Sequence, residues 1–168
     1  NINLELQEGK IYGFVGPNGS GKSVLLKIIC AFYMPTQGRV LIDGINYCDG
    51  NKFPPNLRAL IEKPSFIPDI SGFENLKLLA NIQHLISDND IENTLNIVNL
   101  YEEKDKKFYK YSMGMKQKLG IASVLMEKPK IMILDEPFNG IDDESKSKLF
   151  EYLATSNTST SKLPFSLK

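Results

Sequence analysis

Cysteine is scarce in this sequence: Cys30 and Cys48 are the only two in 168 residues. Two thiols are too few for a disulfide framework and fit a reducing compartment. Cys30 falls on an apolar stretch and is expected to be buried and inert. Histidine is scarcer still, and the single His84 lies in a stretch that reads as a helix, where a surface position is expected. An excess of either charge is missing as well, since 20 Lys and Arg balance 20 Asp and Glu. That balance leaves no electrostatic footprint for nucleic acid or an anionic membrane surface. No apolar run reaches the roughly 20 residues that span a bilayer, and no signal-peptide pattern or internal repeat is present. What remains is a chain of 42% hydrophobic residues, enough for one packed core. The first residue is Asn1 rather than Met, so a fragment or a lost start is expected.

Against this plain background one stretch stands out. "GPNGSGKS", residues 16–23, fits G-x-x-x-x-G-K-[ST] with Gly16, Gly21, Lys22 and Ser23 at the fixed places. Pro17, Asn18, Gly19 and Ser20 fill the loop, whose backbone N–H groups can converge on phosphate oxygens where a Cβ would crowd them. Lys22 is the candidate for charge near the β and γ phosphates, and the Ser23 hydroxyl is the candidate Mg²⁺ ligand. "KIYGFVG" before the loop reads as a buried strand and "KSVLLKIICAF" after it as a helix, so the helix N-terminus would face the phosphates.

The rest of the chain reads as a mixed α/β order. Strands are expected over 1–9, 38–44 and 57–62. A capping box at 71–74 opens one helix, a second follows over 90–100, and residues 72–110 form a helical insertion. A helix over 115–129 is closed by Pro129, and a last helix runs over 142–154 with Asp142 as its candidate cap. The tail from 155 to 168, rich in Ser and Thr, is expected to be disordered. Between the last two helices, "IMILDE" is an apolar strand that ends in two carboxylates, Asp135 and Glu136. Structural reasons seldom place such a pair after four apolar residues. Asp135 is placed to hold Mg²⁺, and Glu136 beside it to act as general base toward water.

"YSMGM" followed by "KQKLGIASVLMEKPKIMILDEPFNGID" resembles the signature and second nucleotide motif of an ABC transporter ATPase, and the similarity runs from about Gly9 to about Leu153. The resemblance implies a P-loop NTPase core with a mostly parallel sheet, an N-terminal antiparallel β portion and a helical subdomain at about 72–115. It implies ATP and Mg²⁺ as ligands, with Glu136 and Lys22 catalytic. It also implies that Ser112 and Gly114 serve the nucleotide of a second ATPase subunit in a head-to-tail dimer. Met113 and Met115 replace the more usual glycine and glutamine of that signature. A membrane permease is the other implied partner, with the chain peripheral on the cytoplasmic face of the membrane and no nucleic acid bound.

Two departures qualify the expectation. Glu62 stands where most members carry a glutamine that reaches the metal, so it is assigned to the metal site here. An ionised carboxylate accepts hydrogen bonds but donates none. The surrounding "ALIEKPSFIPDISGFENL" is similar to the branch serving bacitracin- and lantibiotic-type exporters. The family's histidine after a further strand is absent, because His84 lies upstream of the signature. The domain is therefore expected to be incomplete at both edges. The leading function is the ATP-binding and hydrolysing subunit of a bacterial exporter of antimicrobial peptides or similar compounds. The alternatives are a truncated cassette that binds nucleotide without hydrolysis and a soluble ATPase of the same type with no permease.

Overall fold

The computed structural model describes residues 2–48, 52–156 and 163–167, the last stretch through its backbone. Its centre is a four-stranded sheet with the order β1-β6-β5-β4, all neighbours parallel. The strands are β1 (Tyr12–Phe14), β4 (Leu57–Leu60), β5 (Ile131–Asp135) and β6 (Leu163–Leu167). A separate antiparallel pair, β2 (Leu41–Ile42) and β3 (Ile45–Asn46), turns at Asp43 and Gly44. Both turn residues have positive φ, 50° and 78°, the requirement of a two-residue hairpin whose twist matches its strands. The single strand expected over 38–44 is thus one arm of a hairpin, and its Asp-Gly pair was the available signal.

Alternation along the central strands divides the core in two. Ile133 of β5 packs with Leu57 of β4, with Leu26 of α1 (Lys22–Ile29) and with Cys30 just beyond that helix. Its neighbours Met132 and Leu134 point to the other face. There they meet α2 (Gly72–Gln83), α3 (Asp88–Ile97), α4 (Met113–Leu125) and α5 (Asp143–Ser156) through residues such as Leu76, Leu95, Leu119 and Leu149. The helical insertion therefore shares its core with the signature helix rather than forming a detached lobe.

The capping box expected at 71–74 is present: Ser71 Oγ accepts from the Glu74 N–H at 3.1 Å, and Glu74 Oε2 accepts from the Ser71 N–H at 2.7 Å. These bonds hold the Glu74 carboxyl below its ordinary pKa. The helix expected at 90–100 begins earlier, because Ser87 forms a second capping box with Asp90. The helix expected at 115–129 begins on Ser112 and ends before Lys128, whose φ of 49° breaks the turn ahead of Pro129.

Two expectations are corrected. No strand forms over residues 2–9, while Asn1 lies outside the described residues. Alternation there has no partner strand to pair with, and Ile2 and Leu4 remain exposed. At the other end, residues 163–167 form β6 instead of a disordered tail; residues 157–162 and 168 lie outside the described set. β1 and β5 each present a row of backbone donors and acceptors toward the other, and a strand between them pairs with both rows, save for the N–H that Pro164 lacks. The sequence Leu163-Pro164-Phe165-Ser166-Leu167 does alternate, but Pro164 and the polar run before it obscure the pattern.

Cys30 is fully buried against α1 and the sheet, and burial pushes its thiol up to about 12. Cys48 is half-buried. A thiol titration of the native protein with an aromatic disulfide reagent is expected to label Cys48 alone, with Cys30 reacting after denaturation. Equal rates at both positions would show that the α1 core opens readily.

Candidate nucleotide site at the carboxyl ends of the sheet

Because β1, β4 and β5 are parallel, their carboxyl ends lie along one edge, where ligand sites of open α/β sheets form. The phosphate-loop candidate leaves β1 there, the Asp135–Glu136 pair leaves β5, and Glu62 follows β4.

The loop has the backbone the motif demands. Gly19 and Gly21 adopt φ of 79° and 90°, which L side chains rarely reach. Helices α2, α3, α4 and α5 start on side-chain caps from Ser71, Ser87, Ser112 and Asp142. α1 starts on Gly21 with no side-chain cap and no acidic residue in its first turn. Its leading N–H groups and positive dipole end are left for an anion. Lys22 Nζ donates to the carbonyls of Gly16 at 2.9 Å and Pro17 at 3.0 Å, so its ammonium lies over the loop.

Ser23 and Asp135, 112 residues apart, are brought into direct contact, with Ser23 Oγ donating to Asp135 Oδ2 at 2.6 Å. Two oxygens side by side at the foot of a phosphate loop fit the donor set of Mg²⁺, which binds through one or two protein oxygens together with nucleotide phosphates. Among the described residues no group of three or more His, Cys, Asp or Glu could form a closed metal cage.

Glu136 is exposed and held at φ 47°, a left-handed conformation that costs a non-glycine residue on the order of 1 kcal/mol. Its Oε2 accepts from Asn139 Nδ2 at 2.6 Å, which orients the carboxylate without neutralising it. Glu62 also has positive φ, 70°, but its carboxylate pairs with Lys27, one turn beyond Ser23 on α1. That carboxylate raises the Lys27 pKa. The structure does not bring Glu62 onto the Ser23–Asp135 pair.

Ser112 and Gly114 lie at the start of α4. Ser112 Oγ accepts from the Met115 N–H at 3.2 Å, and Met113 is exposed beside it. Gly114 has a packing reason to lack a side chain, since a Cβ there would lie 2.4 Å from the Gly140 carbonyl oxygen. The sequence reading missed Lys27, Asn139 and the pairing of Lys118 with Asp142. Lys118 follows Lys116 and Gln117 on α4, so nothing local marked it as the buried one of two lysines, and the others carry no local signal either.

The fold and these placements agree with what the chain resembles. It matches the family described as "ABC transporter" over residues 1–139 and belongs to that family. It is 40% identical over 154 residues to the bacitracin transport ATP-binding protein BcrA of Enterococcus faecalis, covering 91% of this chain and 50% of that protein. Against the lantibiotic transport ATP-binding protein SrtF of Streptococcus pyogenes it is 33% identical over 153 residues, covering 91% of this chain and 66% of that one. The chain thus spans about half to two thirds of the length of these relatives. Among solved structures, a dimeric post-hydrolysis ATP-binding cassette bound to ADP and Pi superposes with a TM-score of 0.87 at 26% identity, covering 99% of this chain and 78% of that one. A putative ABC transporter ATP-binding protein from Pyrococcus furiosus gives 0.83 at 27% identity, with coverage of 99% and 82%.

Proposed function

We propose that this chain is the ATP-binding and hydrolysing part of a bacterial exporter of antimicrobial peptides or similar compounds. The single observation that carries the ATPase reading is the Ser23–Asp135 contact beside an uncapped helix behind a glycine-rich loop. In this reading the loop from Gly16 to Ser23 cradles the phosphates, Lys22 turns its ammonium to them, and Ser23 and Asp135 hold Mg²⁺. When bound, the metal neutralises developing charge on the phosphate oxygens. Glu136 takes the proton of the attacking water as the bond to the γ-phosphorus forms, and ADP leaves with the bridging oxygen. Glu62, paired with Lys27, stands at the edge of the metal site as a hydrogen-bond acceptor.

The dimeric cassette among the structural neighbours supports pairing of two copies; in this proposal Ser112 and Gly114 of one copy face the nucleotide of the other. Bacitracin transport by BcrA and lantibiotic transport by SrtF support antimicrobial peptides as cargo. No helix among the described residues is long and apolar enough to cross a membrane, and a membrane permease as partner is supported by the transport roles of BcrA and SrtF. Support for its docking comes from a groove of about 360 Å³ lined by Phe32, Phe53, Pro54, Arg58 and Gln83. Beside it, Leu78, Ile82 and Leu85 are exposed on or just beyond α2. The chain would then sit on the cytoplasmic face of the membrane.

Mg-ATP binding and steady-state phosphate release by the purified chain test the ATPase reading. Saturable binding with turnover above the rate without protein is expected. Binding with no turnover would leave a nucleotide-holding cassette, and absence of both would sink the proposal.

A further inference from the structure

Lys118 occupies an unusual position for an ammonium. It lies between Gln117 and Leu119 on α4, with 11% of its side chain exposed. Burying such a charge costs several kcal/mol unless it is closely paired. Its Nζ meets Asp142 Oδ2 at 2.6 Å and donates to the Asn99 carbonyl at 3.3 Å. Asp142 is in turn the cap of α5, accepting from the buried Ser145 through its N–H at 2.9 Å and its hydroxyl at 2.8 Å. The ammonium and these bonds hold the Asp142 carboxyl well below the usual carboxylate range. One side chain therefore joins α4 to the turn after α3 and to the start of α5.

The segment from Glu136 to Asp142, between β5 and α5, also touches α4 at Gln117 and Gly114. Gln117 Nε2 donates to the Pro137 carbonyl at 3.3 Å, and the Gly140 carbonyl rests where a Gly114 Cβ would be. Residues 136–142 thus lie against the first two turns of α4: Glu136 and Pro137 meet Gln117, Gly140 meets Gly114, and Asp142 meets Lys118. The Asp142 side chain keeps 52% of its surface exposed, so the pair is only half-buried and contributes modestly to stability by itself.

We propose that Lys118 is a positioning residue for pairing. Through Asp142 it fixes the Ser112–Gly114 turn against the Glu136 loop, so that the half-site offered to a second copy has a set distance from the chain's own nucleotide site. The inference rests on the head-to-tail reading given above and adds to it the residue that sets its geometry. A neutral side chain at position 118 leaves the phosphate loop untouched but lets the α4 turn drift.

The test compares Lys118→Met, Lys118→Arg and Asp142→Asn, each carrying Glu136→Gln so that hydrolysis does not disperse paired chains. Asp142→Asn matters because asparagine keeps the α5 cap while losing the charge. Three quantities are read for each protein: thermal midpoint, affinity for a fluorescent ATP analogue with Mg²⁺, and ATP-dependent association by sedimentation velocity. Lys118→Met and Asp142→Asn are expected to keep the nucleotide affinity of the reference. Both should weaken association by about tenfold, the scale of coupling within one charge network. Lys118→Arg is expected to restore association. Unchanged association in both neutral variants overturns the proposal. So does weakened association that follows the loss of folded protein, because a general defect then suffices. If the Glu136→Gln reference binds Mg-ATP and never pairs, the two-copy reading itself fails before any change at Lys118 and takes this inference with it.

Discussion

Replacing Glu136 with glutamine is expected to lower steady-state ATP turnover by about 10²- to 10⁴-fold, the usual contribution of a positioned general base, while leaving Mg-ATP binding intact. The amide keeps the length of the side chain and an acceptor for Asn139, whose Nδ2 donates to Glu136 Oε2 at 2.6 Å. It cannot take the proton of the attacking water. Because Glu136 stands exposed at φ 47° at the end of β5, the substitution disturbs no buried contact, and the thermal midpoint should hold. Turnover equal to that of the parent would move the base elsewhere, with Glu62 the first carboxylate to examine.

The second large effect is expected at Lys22. Its Nζ holds two loop carbonyls, at 2.9 and 3.0 Å, and pairs with no carboxylate among the described residues. Lys22→Met keeps most of the stem and removes the charge. Charge-assisted hydrogen bonds contribute about 1.5–3 kcal/mol, so Mg-ATP affinity should fall between about tenfold and a hundredfold. Equilibrium titration with a fluorescent ATP analogue checks this, and Mg-ADP should lose less if Lys22 reaches the γ-phosphate. Affinity that survives intact would mean that the backbone of the loop and the α1 N-terminus suffice by themselves.

Much of the site was legible in the order of residues. A glycine-rich loop is local chemistry: the need for positive φ at Gly19 and Gly21 can be met by few other residues, so the motif announces its own backbone. The apolar run into Asp135 is similarly self-declaring, and the capping box at Ser71 marks a helix start from two residues three apart. Less legible were features whose meaning depends on a partner. Residues 2–9 alternate like a strand and form none, while residues 163–167 look unpromising and complete the sheet. In both cases the deciding quantity is whether unpaired backbone groups lie alongside. The Asp43–Gly44 turn was readable and was overlooked because the glycine served as a boundary rather than as half of a hairpin turn.

By itself, then, the sequence determined the phosphate loop, the two carboxylates at the end of β5, the caps at Ser71 and Asp142 and the family, because each rests on bonds within a few residues or on spacing along one element. Tertiary structure alone decided that Ser23 meets Asp135, that Glu62 turns to Lys27, and that Lys118 binds Asp142 across the signature helix. It also decided why position 114 must be glycine, with a carbonyl from Gly140 pressed against it. These contacts join residues from separate elements, and such pairs are selected by the packing of the parallel sheet and its helices, which no short stretch of chain encodes.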